Sequence, residues 1–132
     1  MGRPVRTLLA WLPALGYMGL IWVLSSMALK VNFQPVPFRD KGVHFVEYGA
    51  LAVLLSIAFR GTWPTAPLRR PAFYAAVTTV LWGLLDEIHQ AYVPGRSSDP
   101  WDLLADALGA IAGTLAFVLV TRLRAGKEAG SL

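Results

Sequence analysis

Residues 72–92 read AFYAAVTTVLWGLLDEIHQAY, and the end of this stretch decides the fold. Residues 72–85 are apolar or neutral throughout. At 1.5 Å rise per residue they cover about 21 Å, short of the ~30 Å hydrocarbon core of a bilayer. A spanning helix must therefore run on through Asp86 and Glu87, and the spacing predicts a helix over residues 72–92. Asp86 then lies roughly 9 Å inside the helix end. A charge at that depth is costly on a lipid-facing surface, so it should face a bundle interior or a wet cavity.

Three further apolar blocks flank this one and predict helices over residues 8–29, 42–59 and 100–123. Pro13 is positioned to kink the first. Pro35 and Pro37, then Pro64, Pro67 and Pro71, then Pro94 and Gly95 punctuate the connections. The block at 8–29 follows Arg3 and Arg6, but it is long for a signal-peptide core and no small-residue cleavage site follows, so it reads as a retained helix. The expected architecture is all-α: one integral membrane bundle of four transmembrane helices over residues 1–124, with a flexible polar tail at 125–132. Composition agrees. The chain is 55% hydrophobic and only 15% charged, against about 45–50% and 25% in soluble domains. It has no cysteine, which excludes disulfides, thiolate catalysis and Cys-ligated zinc.

The net charge of +4 reflects topology rather than a nucleic-acid partner, because the basic residues sit beside the apolar blocks. With four spans, Arg3, Arg6, Arg60, Arg69, Arg70, Arg122, Arg124 and Lys127 fall on one side. Lys30, Arg39, Lys41 and Arg96 fall on the other. The positive-inside rule makes the first side, with both termini, cytoplasmic in a multi-pass protein of the plasma (inner) membrane. The acids divide the opposite way. Only Glu128 is on the cytoplasmic side, while Asp40, Glu47, Asp86, Glu87, Asp99, Asp102 and Asp106 are outward.

Helix 2, beginning near Asp40, carries Glu47 about as deep as helix 3 carries Asp86, and helix 4 carries Asp106 likewise. Asp40, His44 and Glu47 follow i, i+4, i+7, with Tyr48 beside them. Asp86 and Gln90 are four apart, with His89 flanking. Asp102, Asp106, Gly109 and Gly113 form one stripe, whose glycines would let another helix approach closely. Plainer roles compete for several of these residues. Asp99 before Pro100 has the pattern of an N-cap, Asp40 suits the same role at helix 2, and Asp102 suits the helix dipole. Glu87 suits the membrane interface, His89 packing, Lys30 and Arg39 head-group anchoring, and Trp63 and Trp101 an aromatic belt.

Taken in order, Asp40-Lys41-Gly42-Val43-His44-Phe45-Val46-Glu47-Tyr48, then Asp86-Glu87-Ile88-His89-Gln90, then Pro94-Gly95-Arg96 and Asp102-Leu103-Leu104-Ala105-Asp106-Ala107-Leu108-Gly109 carry a resemblance. They resemble the VanZ-like family pattern D-K-x-x-H-F-x-x-Y, D-E-x-x-Q, P-G-R and D-x-x-x-N-x-x-G, over helices 2 to 4. Asp106 stands where that pattern commonly has Asn, adding a charge or, when protonated, a donor. The resemblance implies a membrane protein, and its namesake is associated with low-level resistance to the glycopeptide teicoplanin.

Three readings are open for the cluster Asp40, Lys41, His44, Glu47, Tyr48, Asp86, Glu87, Gln90, Arg96, Asp102 and Asp106. The first is binding or modification of an envelope amphiphile, such as a lipid head group, a lipid-linked precursor or a glycopeptide. Arg96 on a Pro-Gly turn is placed to hold a phosphate, and the acidic field suits an amine or a bridging cation. The second is an intramembrane enzyme acting on a lipid by acid/base or metal chemistry. His44, Glu47, Asp86 and His89 are residue types that bind a divalent metal, although no specific metal motif is present. The third is a proton or cation relay, or a structural role; a relay through such small bundles calls for a homo-oligomer.

Overall fold

The computed structural model describes residues 2–27 and 39–130. Lys30, Pro35, Pro37, the expected end of helix 1 at 28–29 and the side chains of Arg3 and Arg39 lie outside the described residues. Four helices follow one another: α1 (Arg3–Ser26), α2 (Arg39–Thr62), α3 (Arg69–Gln90) and α4 (Pro100–Ala129). There is no strand among the described residues. Three helices, α1, α2 and α4, are long and apolar enough to cross a membrane. With 22 residues, α3 reaches about 33 Å, so it is composition rather than length that sets it apart.

The helix ends differ from the sequence expectation by a turn or two. α4 continues to Ala129 rather than stopping at 123. Residues 124–129 are polar but contain Arg, Lys, Glu and two Ala, all good helix formers, and loss of hydropathy does not end a helix. α3 ends at Gln90 instead of 92, because Tyr92 and Val93 donate to the carbonyls of His89 and Gln90 and tighten the chain into a turn. Arg96 N–H closes onto Val93 C=O at 3.1 Å, with Pro94 and Gly95 at the corners and Gly95 at φ 82°. That is the type II arrangement, in which only glycine is comfortable at the second corner. α1 runs through Pro13 without interruption.

The burial pattern is inverted relative to a soluble protein. Leu8, Leu12, Val23, Phe73, Leu81, Leu115 and Leu119 are exposed on the outside of the bundle. Ser56, Thr79, Asp86, Glu87, Gln90, Asp102 and Asp106 are buried within it. So much outward apolar surface would aggregate in water but is satisfied by lipid tails. Inside, Ser56, Thr79 and Thr114 donate to the carbonyls of Ala52, Ala75 and Ala110 at 2.7, 2.8 and 2.9 Å, so their hydroxyls need no partner from another helix.

α2 is the hub and packs against the other three helices. α1 is pinned to its far end: Trp11 Nε1 donates to Thr62 Oγ1 at 2.9 Å, and the Trp11 ring meets Phe59 edge-on at 4.9 Å. Ala14, Ile21, Tyr48, Leu51, Leu55, Ala58 and Ala75 form the apolar core. The α2–α4 seam is closest. A side chain at Gly113 would run into the Gly49 carbonyl oxygen, and one at Gly109 into that of Phe45. Gly49 in turn approaches the Gly109 carbonyl, to 3.3 Å from where its Cβ would be. This contact fixes the register in which the amino-terminal turns of α2 and α4 meet.

Candidate functional site: an acidic cluster at one end of the bundle

Because α2 and α4 nearly touch, Lys41 and His44 of α2 face Asp102 and Asp106 of α4. The Lys41 ammonium donates to Asp40 Oδ2 at 2.9 Å, to Asp99 Oδ2 at 2.6 Å and to Asp102 Oδ1 at 2.6 Å. A lysine has three N–H donors, and these contacts occupy all of them. One turn deeper, His44 Nδ1 lies 2.9 Å from Asp106 Oδ1, while His44 Nε2 lies 3.7 Å from Asp102 Oδ2. With Asp106 ionised, the carboxylate can only accept, so Nδ1 carries the proton. The Tyr48 ring lies parallel to His44, 6.2 Å away.

α3 closes the third side. Gly83 on α3 leaves room for the two groups opposite: a Cβ there would come within 2.8 Å of Asp106 Oδ2 and 3.2 Å of Tyr48 Cε1. Gln90 Nε2 donates to Asp86 Oδ2 at 2.9 Å. The Tyr48 hydroxyl lies beside Asp86, yet neither it nor Asp86 Oδ1 has a hydrogen-bond partner among the described residues. Glu87 is buried with the cluster, not exposed as the competing interfacial reading supposed. The α3–α4 loop folds over Glu87, whose Oε2 accepts from Ser98 Oγ at 3.0 Å and Asp99 N–H at 2.9 Å. Its Oε1 and Asp106 Oδ2 are buried without hydrogen-bond partners among the described residues.

Asp99 has two roles. It is the N-cap of α4, accepting from Trp101 N–H at 2.9 Å ahead of Pro100, and it also binds Lys41. Asp40 is not a cap. It lies inside the first turn of α2, which starts one residue earlier, and its carboxylate pairs with Lys41. Asp102 occupies the first turn of α4, as the dipole reading supposed, and holds Lys41 as well.

The four residues singled out for a metal are not gathered. His89 turns toward α1, where its ring stacks on Trp22 at 4.0 Å and its Nε2 lies 2.8 Å from Ser26 Oγ. Glu47 is half-buried and has no hydrogen bond or ion pair among the described residues. Arg96, also half-buried, has no ion-pair partner there either. What converges is a different set: one ligand atom each of His44, Glu87 and Asp106, all within 4.8 Å of one another. Sequence reasoning passed over Gly83, Ser98 and the link from Asp99 to Lys41. Gly83 was findable, since it lies three and seven residues before Asp86 and Gln90 on one helical face. The contacts of Ser98 and Asp99 depend on a loop path that no periodicity encodes.

Asp99, outside the spans, is held below the usual carboxylate range first by the Lys41 ammonium and then by Trp101 N–H. A carboxyl whose pKa is lower folded than unfolded adds stability above its unfolded value of about 3.9, and that stability is lost as pH falls through the folded value. Asp99→Asn keeps a capping side chain but removes the charge. The unfolding midpoint of the wild type should exceed that of Asp99→Asn at pH 7, with the gap closing below about pH 4. A gap that stays constant on acidification would mean that the charge contributes nothing.

Neither the curated proteins nor the solved structures include a match to this chain. A family match does exist, to VanZ/LLP1, and it spans residues 6–121, from the first turn of α1 into α4, eight residues short of that helix's end. It takes in all four helices and every residue of the acidic cluster, and the chain belongs to the VanZ/LLP1 family.

Proposed function

We propose that this VanZ/LLP1 membrane protein binds the polar head of a cell-envelope amphiphile at the acidic end of its bundle. One observation carries the reading. Asp86, Glu87 and Asp106 are all buried, and among the described residues each keeps one carboxylate oxygen without a hydrogen-bond partner, with only the Tyr48 hydroxyl lying beside Asp86. Buried acceptors left open cost about 1–3 kcal/mol each, more when charged, so a ligand that supplies donors or positive charge is favoured there. Lys41 cannot serve, since its three donors are taken. An amine-bearing head group, or a phosphate head group bridged by a cation, fits this field. Arg96, on its Pro94–Gly95 turn between α3 and α4, is the group suited to a phosphate. The positive-inside rule puts this end outward in the plasma membrane with both termini cytoplasmic. That is where a lipid-linked precursor or a teicoplanin-type glycopeptide would be met.

The test is to purify the protein from its own membranes and compare its co-purifying lipids with those of Asp86→Ala and Arg96→Ala, after checking helicity. The expected result is one lipid class enriched over the bulk extract in wild type and depleted in both variants. Identical lipid profiles in all three proteins would refute the head-group reading. A strain lacking the protein should also shift in glycopeptide susceptibility if the ligand is a precursor that the drug recognises.

A further inference from the structure

We infer that His44, Glu87 and Asp106 form a binding site for one divalent transition-metal cation. Each helix of the acidic end supplies one ligand: His44 from α2, Glu87 from α3 and Asp106 from α4. One ligand atom of each lies within 4.8 Å of the others. Ligands at 2.0–2.2 Å around a tetrahedral zinc stand about 3.3 Å apart, so side-chain rotations of roughly an ångström complete the set. An imidazole with two carboxylates suits zinc, manganese or cobalt, and three protein ligands leave a fourth position open.

Two independent features point to a cation here rather than to acids that merely lie near one another. Asp106 and Glu87, 0% and 4% exposed, each present a buried oxygen with no hydrogen-bond partner among the described residues. The outer oxygen of Glu87 is held by Ser98 Oγ and Asp99 N–H, which orients the carboxylate and leaves Oε1 for the metal. Outer contacts of this kind commonly fix metal ligands in place. The charge also balances. For Nδ1, the nitrogen that faces Asp106, to ligate, its proton moves to Nε2 on the side of Asp102; His44 stays neutral, and with two carboxylates it offers two negative charges to a doubly charged ion. No Lys or Arg forms an ion pair with Glu87 or Asp106 among the described residues. Lys41 is fully engaged by Asp40, Asp99 and Asp102. The site stands on its own geometry. Only its role, offering the open position to a head-group phosphate, rests on the function proposed above.

The probe is Co²⁺, which reports tetrahedral N/O coordination by its visible absorption, added to chelator-stripped full-length protein in detergent. Wild type should bind one equivalent, competed by Zn²⁺. His44→Ala and Glu87→Gln should each weaken binding by more than about tenfold, since changing even outer-shell partners costs 10–100-fold. His89→Ala removes the only other histidine and should bind as wild type, provided that both histidine variants retain wild-type helicity by circular dichroism. If wild type shows no saturable binding of one equivalent, the site is refuted. It is equally refuted if folded His44→Ala binds normally or if His89→Ala abolishes binding. Lipid capture read on the same stripped protein separates the two proposals. Lipid retained without cobalt binding removes the metal site and leaves the head-group reading, whereas cobalt bound without any specific lipid does the reverse.

Discussion

Gly109→Ala should unfold at a clearly lower temperature or SDS concentration than wild type, by the equivalent of about 2 kcal/mol. Overpacking a well-filled site costs about 1–3 kcal/mol, and this one belongs at the upper end. The added methyl would run into the Phe45 carbonyl oxygen and come within 3.0 Å of the Gly49 nitrogen. Both are helix backbone, which cannot rotate away as a side chain could. Against this, replacing glycine by alanine in a helix gains at most about 1 kcal/mol of propensity. Gly126→Ala in the same helix is the control, because no atom of the described residues lies within 4 Å of its added methyl. That variant should be neutral or slightly stabilised. The seam also sets the spacing between Lys41 and Asp102 and between His44 and Asp106, so Gly109→Ala should weaken cobalt binding in its folded fraction. If Gly109→Ala and Gly126→Ala melt alike, the close approach of α2 and α4 is not what holds the bundle.

The glycines illustrate what the sequence discloses. Their four-residue spacing signalled that some helix approaches α4 closely, but the partner is α2 through Gly49, which α4 alone cannot specify. The four helices were legible because burial in lipid imposes a length on apolar runs, most clearly in α1, α2 and α4, and their order was legible because charges interrupt them. The ends were less so. α4 outlasts its apolar stretch by six residues, since a helix can leave the hydrocarbon region without unwinding. Within the cluster, contacts inside one helix could be read directly, as with Asp86 and Gln90 at i, i+4. Contacts between helices could not, because they depend on how each helix is rotated about its own axis. His44 and His89 are equivalent in composition, yet one meets Asp106 and the other stacks on Trp22. Glu87 looks interfacial by its position near a helix end. It is buried because residues 98 and 99 fold back across it, a path set by the Pro94–Gly95 turn.

Lys41→Met should give the largest loss among single changes in the polar cluster. Methionine keeps the length and apolar stem but removes the charge on which Asp40, Asp99 and Asp102 converge. Removing one partner of a fully buried ion pair costs about 3–5 kcal/mol, because the charge left behind loses its counterion without regaining water. The Lys41 side chain retains 23% exposure and that of Asp102 10%, so some water reaches the pair, and the expected loss is about 2–4 kcal/mol. The expected readout is a lower midpoint in thermal or SDS unfolding. Asp102→Asn in the Lys41→Met background should recover part of that loss, because it removes the acid that burial isolates most from water among the three. Asp40→Asn in the same background should recover little, since the Asp40 side chain is 64% exposed and remains hydrated. This ordering separates a buried ion pair from simple charge balance at the bundle end, which would make the two rescues equal. It also bears on the metal site. With Lys41 gone, Asp102 is freed 3.7 Å from His44 Nε2, and it becomes a competing acceptor for the imidazole. Cobalt affinity in folded Lys41→Met should therefore change although Lys41 is not a ligand. Asp102→Asn added to it should restore that affinity toward wild type.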